Sequence, residues 1–408
     1  MDEGADRAMS GSPASRIRVC LVVGQLAVGG LERQVYFLAS TLRRDGLDVL
    51  VVSLNGAGFW SGPLKEAGVR VAHLERHGRR DWRRLIALTR LLRREQPDVV
   101  YSFNYENNAY ARLAGWLARV PILITGERGV SMSRWQGFLE RILVRITECV
   151  ICNADAIRQD LIQRVGLPGW KILVVPNAIE VPRLSPEARR LARSKVGVEG
   201  DEILIGTVAR LDPVKNLQMM LDAAAICGAR RPVLRFCIVG SGPEEPVLRA
   251  AVGAARLEST FLMIGEVTPA TDILVGFDLF LLTSHTEGLP NAVMEAMAAA
   301  IPCLCTDVGG CRELVVQGVT GFLVAPGDAR ALADRILDLA GDPVRRAAMG
   351  RAGRSRIGED RTPDDLGRRM EAILRRLMSA RLHRRRGQRW MAADKTVDGG
   401  ERHAPHSL

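Results

Sequence analysis

Short apolar runs rich in β-branched residues alternate with amphipathic stretches along nearly the whole chain, and the alternation occurs in two series. The first series of candidate strands lies at 17–23, 49–54, 69–73, 99–103, 122–125, 150–152 and 172–175, with helical stretches such as 31–44, 82–94, 107–118 and 155–165 between them. The second lies at 203–209, 234–239, 261–264, 279–283, 303–305 and 322–324. Strands separated by helices cannot pair as tight hairpins; they require crossover connections and a parallel sheet. The stretch 176–200, holding Pro182 and Pro186, breaks the rhythm and reads as an interdomain linker region. A chain of 408 residues also exceeds what one hydrophobic core usually serves. The expected fold class is therefore α/β with two doubly wound domains. The expected division is a flexible N-terminus at 1–15, a first domain at 16–182, a linker at 183–200, a second domain at 201–357, a C-terminal helix at 358–380 and a basic, disordered tail at 381–408.

In such folds the chemistry sits where strands end, so the strand-to-helix junctions carry the argument. The second domain's fourth strand runs into Thr283-Ser284-His285-Thr286-Glu287-Gly288-Leu289-Pro290-Asn291 and then a helix holding Glu295. Pro290 suits a first helical turn, because it has no N–H to lose there. The free N–H groups of that turn, with the helix dipole, stabilise a pyrophosphate. Glu287 and Glu295 suit the hydroxyls of a sugar and a ribose, so the stretch points to a nucleotide-sugar site. Glu295 could instead be a surface helix residue, although its neighbours Val293, Met294, Ala296 and Met297 are apolar.

The second domain's first strand ends in Val208-Ala209-Arg210-Leu211-Asp212-Pro213-Val214-Lys215-Asn216. Arg210 supplies a planar fork and Lys215 a mobile point charge, and across a Pro turn both can face one anion. The first domain's first strand ends in Gly24 and leads through Gly29-Gly30 into a helix, a place where backbone N–H groups can approach a ligand closely. A plain turn accounts for that spacing equally well, and a dinucleotide fingerprint is absent. Gly240, in Val239-Gly240-Ser241-Gly242-Pro243, either borders the nucleotide or makes a structural turn. Gly288, Leu289 and Asn291 complete the expected donor-binding set. On the acceptor side, the first domain's fifth strand ends in Thr125-Gly126-Glu127-Arg128-Gly129, so Glu127 and Arg128 are expected to touch acceptor. No Asp-x-Asp pair occurs, so no metal site is expected.

Composition excludes several classes. The chain has 47% apolar and 25% charged residues, which describes a globular protein. No stretch reaches the roughly 18–20 apolar residues of a membrane span. The first residues carry Asp2, Glu3 and Asp6 without an apolar core, so no signal peptide is expected and a cytoplasmic location is. The eight cysteines fall mostly in strand-like runs and read as buried thiols; Cys149-Val150-Ile151-Cys152 has a metal or redox spacing but no second pair. The net charge of +11, with Arg concentrated at 76–94 and 375–389, attracts anionic partners. Aromatic content of only 5%, without a nucleic-acid-binding signature, argues against nucleic acid and for an anionic donor and an anionic membrane surface. Ordinary solvated faces account for the same charge.

Together these residues resemble the family 4 retaining glycosyltransferases with the GT-B fold, from about residue 17 to 378. The match is densest from Glu287 to Pro302, which includes the family's Glu-x7-Glu spacing. Arg210 and Lys215 match its diphosphate-binding pair, Gly29-Gly30 its Gly-Gly loop, and Val175-Pro176-Asn177 the strand end before its hinge. The resemblance implies two Rossmann-like domains facing a cleft, acceptor on the first and donor on the second, with the last helix crossing back. It implies contact of Glu287 with the donor sugar and of Glu295 with the ribose. It implies transfer of a sugar from a nucleoside-diphosphate donor to a hydroxyl of a glycan or lipid-linked acceptor in cell-surface polysaccharide biosynthesis. Retention of configuration without a metal or other cofactor follows from the same likeness. Three positions depart from the family: Asn177-Ala178-Ile179-Glu180 after the hinge strand, Glu127-Arg128 where some members place His, and Asn216 where Gly is frequent. A nucleotide-sugar epimerase of the same fold, or a non-catalytic nucleotide-sugar-binding subunit, remain as alternatives.

Overall fold

The computed structural model describes residues 16–75, 81–129, 133–198, 200–228, 234–358 and 361–385. The expected N-terminal segment 1–15 and most of the basic tail, with part of the 76–94 Arg run, lie outside these residues.

Seven strands form the first sheet: β1 (Arg18–Val23), β2 (Asp48–Ser53), β3 (Arg70–His73), β4 (Val99–Phe103), β5 (Ile122–Glu127), β6 (Cys149–Cys152) and β7 (Ile172–Val174). Their order is β3-β2-β1-β4-β5-β6-β7, with every pairing parallel. Six strands form the second: β8 (Ile203–Val208), β9 (Leu234–Val239), β10 (Phe261–Gly265), β11 (Leu279–Leu282), β12 (Cys303–Thr306) and β13 (Gly321–Val324). Their order is β10-β9-β8-β11-β12-β13, again all parallel. Both sheets thus reverse direction of growth beside their first strand, between β1 and β4 and between β8 and β11. Crevices open at the C-terminal edge of such switch points. The fold is α/β, two Rossmann-like domains in the GT-B arrangement.

The strands are buried on both faces, as parallel sheets covered by helices must be; β4, β6, β11 and β12 are buried along their whole length. All eight cysteines are buried and unbonded to one another. Burial pushes the Cys149 and Cys152 thiols up to about 12, which leaves the CxxC spacing chemically inert at neutral pH.

Two connections depart from the simple pattern. The expected linker holds a helix, Pro186–Lys195, started by a Ser185 side chain that accepts from the Ala188 N–H. Arg189 and Arg193 from this helix grip Asp278 at 2.6 and 3.0 Å, and the following Val196 and Val198 enter a core shared with β8, β9 and β11. Pro290 stands one residue before the helix Asn291–Ala298, with extended backbone, and not inside its first turn.

The last helix, Pro363–Arg385, crosses back onto the first domain. Its Leu366, Met370 and Leu374 join the core that contains Val35, Leu38 and Leu42 of the helix Gly30–Arg44. Gly367 allows the approach: a Cβ there would lie 2.1 Å from the Thr41 methyl group. Beside this crossing, the Ile179 N–H donates to the Arg361 carbonyl at 2.8 Å, so the two strands of chain that join the domains are tied to each other.

Candidate active site

The loop after β8 folds into a short 3-10 turn, Pro213–Lys215, closed by Asn216 in the left-handed region at φ 46. The loop after β11 is stitched to it: the Thr283 hydroxyl donates to the Lys215 carbonyl at 2.9 Å, and the His285 N–H to the Val214 carbonyl at 2.8 Å. This backbone lacing presents Lys215 to Glu287. The ammonium donates to Glu287 Oε1 at 2.6 Å, and the Ser284 hydroxyl donates to the same oxygen at 2.6 Å. Both side chains are largely withdrawn from solvent, so each charge is held in a defined direction. Arg210 lies on the open side of the same loop, paired with Asp212 and mostly exposed.

The first domain faces this pair with its Gly-Gly turn. Asn291, the first residue of the Asn291–Ala298 helix, donates to the Gly30 carbonyl at 3.1 Å. A Cβ on Gly30 would come within 2.8 Å of that amide. Two residues on, Glu32 is buried; desolvation raises its carboxyl above the ordinary value, while its own backbone hydrogen bond and the charge of Arg210 pull the other way. Arg33, half-buried, forms an ion pair with the buried Glu295 between the lobes. Burial lowers the Arg33 proton affinity, offset in part by Glu180.

Asn177, just past the first sheet, links the rest. Its amide donates to Asn291 Oδ1 at 2.8 Å and to the Leu289 carbonyl at 3.3 Å, while its oxygen accepts from Arg128 at 2.6 Å. Gly288 packs directly on the first domain, since a Cβ there would lie 2.2 Å from the Arg128 carbonyl oxygen. The structure therefore brings Gly29, Gly30, Arg128, Gly288, Leu289, Asn291 and Glu295 together along one seam, with Lys215, Glu287 and Arg210 at its second-domain side. Gly240 differs. The atom that excludes a side chain there is the Ala209 carbonyl oxygen, 1.9 Å from a Cβ, so the glycine is accounted for by packing against the loop that carries Arg210.

A hollow of ≈ 460 Å³ opens at the first sheet's switch point, lined among others by Gly24, Glu32, Asn107, Glu127, Arg128 and Gln136. Glu127 ends β5 and is 3% exposed. Asn108 donates to its carboxyl at 2.6 Å and accepts from the Ser102 hydroxyl at 2.7 Å. Burial first, and then the nearby Glu140 charge, push the Glu127 carboxyl up to about 8, against the pull of Asn108, Arg112 and Arg128. Burial thus favours the neutral form of the Glu127 carboxyl. Glu140 itself is locked to Arg112 in a fully buried ion pair. Among the described residues no group of three or more His, Cys, Asp or Glu is arranged to hold a metal ion.

Sequence reasoning did not single out Glu32, Arg33, Asn108 or Ser284, and gave Asn177 no role. Arg33 acts through a partner far away in the chain and Asn108 through residues on two neighbouring strands, which local patterns do not reveal. Ser284, three residues before Glu287, was the readable one: a hydroxyl at that spacing can turn back on the carboxylate.

Comparison with known proteins agrees with this geometry. Residues 28–183 match the family described as Glycosyltransferase Family 4, and residues 188–356 match Glycosyl transferases group 1. The chain belongs to these group 1 glycosyltransferases and is a glycosyltransferase of GT-B fold. It is 24% identical over 333 residues to the capsular polysaccharide biosynthesis glycosyltransferase CapM of Staphylococcus aureus, spanning 78% of this chain and 86% of CapM. It is 26% identical over 278 residues to an Escherichia coli UDP-Gal:alpha-D-GlcNAc-diphosphoundecaprenol alpha-1,3-galactosyltransferase, spanning 65% of this chain and 72% of that enzyme. In fold it resembles Anabaena HepE, solved in complex with UDP-glucose, with a TM-score of 0.79 at 20% identity over 88% of this chain and 100% of HepE.

Proposed function

We propose that this glycosyltransferase moves a sugar from a nucleoside-diphosphate donor to a hydroxyl of a glycan or lipid-linked acceptor in polysaccharide biosynthesis, with retained anomeric configuration and without a metal. The observation that carries the reading is the Lys215–Glu287 pair at the β8/β11 switch point, beside the Asn291–Ala298 helix start and facing the Gly29-Gly30 turn. The names of CapM and of the Escherichia coli galactosyltransferase motivate the acceptor class.

In this reading the C1–oxygen bond of the donor breaks and the diphosphate leaves with the electron pair. Lys215, Arg210 and the N–H groups at the helix start meet the charge that grows on it; preorganised charge of this kind is often the largest catalytic contribution. Glu287 holds Lys215 in place and contacts the donor sugar. Glu295 exchanges Arg33 for the ribose hydroxyls. The acceptor hydroxyl, seated over Glu127 and Arg128, forms the new bond on the face the diphosphate vacates and passes its proton to a diphosphate oxygen. Closure of the seam keeps water from competing. The absence of an Asp-x-Asp pair supports the assignment of diphosphate neutralisation to side chains.

The partners in this reading are the sugar nucleotide, the glycan acceptor and an anionic membrane surface on the cytoplasmic side, with no nucleic acid. No helix of the described residues is long and apolar enough to cross a membrane. A panel of sugar nucleotides tested by thermal shift, followed by donor turnover with and without acceptor, examines the proposal. Stabilisation by one sugar nucleotide and acceptor-dependent release of its diphosphate are expected. Release of an altered sugar nucleotide without acceptor would refute it.

A further inference from the structure

The hollow at the β1/β4 switch point is walled by side-chain amides, and their partners decide which end of each remains to be offered. An amide has a donor end and an acceptor end, so a partner that can only donate, or only accept, orients it. Asn55 stands just past β2, and the guanidinium of Arg84, which has no acceptor, donates to its Oδ1 at 2.8 Å. Arg84 is itself buried, donates to the Leu54 carbonyl at 3.2 Å and lies over the Tyr110 ring at 4.5 Å, so Asn55 is held from behind. Its Nδ2 is the end that remains. Gln136, in the helix Arg134–Leu143, has its Oε1 taken by the Ser133 N–H at 2.7 Å, which leaves Nε2. Asn107 is the reverse: its Nδ2 donates to the Phe103 carbonyl at 2.9 Å, and its Oδ1 remains. Among the described residues these three ends make no hydrogen bond. Strain falls on the same wall, where Asn104 holds φ 67, a conformation that side chains seldom adopt and that clusters at binding sites.

Two amide N–H groups and one amide oxygen can meet hydroxyls or an acetamido group in either direction. An anion finds less. Glu32 and Glu127 bring two carboxyl groups into the lining, and Asn108 already occupies one oxygen of Glu127 at 2.6 Å. The Arg128 guanidinium in the lining is engaged by Asn177 at 2.6 Å and lies over the Phe103 ring. A phosphate or carboxylate is recognised by cations that are open to it, whereas a neutral ligand is recognised by placed donors and acceptors.

We propose that this hollow selects its acceptor by the hydroxyl pattern of an uncharged sugar ring, read by Asn55, Asn107 and Gln136, and turns away rings that carry a phosphate or a carboxylate. The inference deepens the transferase reading and rests on it for calling the ligand an acceptor. The preference for a neutral ring stands on the lining alone.

The experiment offers the full chain four methyl glycosides: of a hexose, an N-acetylhexosamine, a hexuronic acid and a hexose 6-phosphate. Transfer is measured with the sugar nucleotide that gives the largest thermal shift, and binding by saturation-transfer NMR. The neutral glycosides are expected to be used with kcat/KM at least about tenfold above the acidic ones. Asn55→Asp and Gln136→Glu keep the oxygen that Arg84 or Ser133 holds and replace the remaining N–H group with an acceptor. Each is expected to raise acceptor KM on the order of tenfold, with the loss falling on KM more than on kcat and donor KM little moved. Melting temperatures and donor-induced thermal shifts equal to wild type show that fold and donor site are intact. Equal use of neutral and acidic glycosides by the wild type overturns the proposal while leaving the transferase reading in place. Acceptor KM unchanged in both variants overturns the assignment of the reading residues. Binding of the neutral glycosides alone, with transfer to none, upholds the proposal and counts against the transferase reading. Binding of none of the four overturns the proposal as well.

Discussion

The two switch points share one topology and use opposite chemistry. At β8/β11 the crevice is lined by formal charge: Lys215 against Glu287, with Arg210 on the open side. At β1/β4 it is lined largely by amides, with Arg128 and with Glu32 and Glu127, whose carboxyls burial raises; Glu140 beside it is paired with Arg112. A diphosphate needs fixed charge, whereas a sugar hydroxyl is selected by neutral donors and acceptors placed to fit it. On the function proposed above, the contrast divides the labour of the molecule: one crevice would handle the leaving group and the other the acceptor. Its sharpest test is Lys215→Ala, expected to cut turnover on the order of 10²-fold or more with acceptor KM little changed. Steady-state kinetics against donor and acceptor separately checks this. An equal loss in acceptor KM would erase the distinction between the two crevices.

Glycines mark the same contrast in stiffness. Gly309 has φ 48, and a Cβ there would lie 1.9 Å from the Glu287 carbonyl oxygen, a backbone atom that cannot step aside. Gly24, at the β1/β4 crevice, has the Asn107 side chain nearest its Cβ position, at 2.9 Å. Gly309→Ala is expected to cost about 2 kcal/mol or more and to displace Glu287, abolishing most donor turnover. Gly24→Ala is expected to cost less than about 1 kcal/mol, because a side chain can rotate away. Denaturant melts of the two variants compare them directly. Equal losses would mean that the acceptor crevice is as rigid as the donor one.

The charged crevice is also the one that was legible in the sequence. Arg210 lies just past an apolar strand, and Lys215 and Glu287 in the loops that follow such strands, where a solvated surface role makes little sense; the strands themselves announce their ends through β-branched runs. The sheets were readable for that reason to within a residue or two at each boundary. The helix Pro186–Lys195 was not, since it carries four Arg or Lys and no apolar stripe, and it docks through Arg189 and Arg193 on Asp278. Nor was the seam: Arg33 with Glu295, and Asn177 with Asn291, join residues more than a hundred positions apart. The upward shift of the Glu127 carboxyl was hidden for a related reason. Its cause is burial beside Glu140, which belongs to another element.

That shift gives the β1/β4 crevice an expected pH signature. Glu127 holds its proton more tightly in the folded chain, up to about 8, than at its ordinary value of 4.5. Its contribution to stability is therefore fully present below about 4.5, falls as the pH rises, and is gone above about 8. The slope between is about 1.4 kcal/mol per pH unit at most. Glu127→Gln keeps the shape and the neutral state, so its melting temperature is expected to stay flatter across this window than that of wild type. Acceptor KM of the wild type is expected to rise on the alkaline side and that of the variant is not. A variant that melts in parallel with wild type from pH 5 to 8 would show that Glu127 is ionised throughout that window.

Asn177→Ala has the smallest expected effect and tests whether the two crevices are coupled. Its amide holds the Leu289 carbonyl and Asn291 on the donor side, and its oxygen holds Arg128 on the acceptor side. Asn291 retains its bond to the Gly30 carbonyl when Asn177 is gone, so the helix start stays in place. Arg128 loses a partner but keeps its position over the Phe103 ring at 5.9 Å. The expected cost is about 1 kcal/mol, in line with one net hydrogen bond lost in a partly buried setting. Donor and acceptor KM should rise together by a few-fold, because one side chain spans both. A rise confined to one substrate would mean that Asn177 serves a single crevice, and that the lobes are held in register by Arg33 and Glu295 instead.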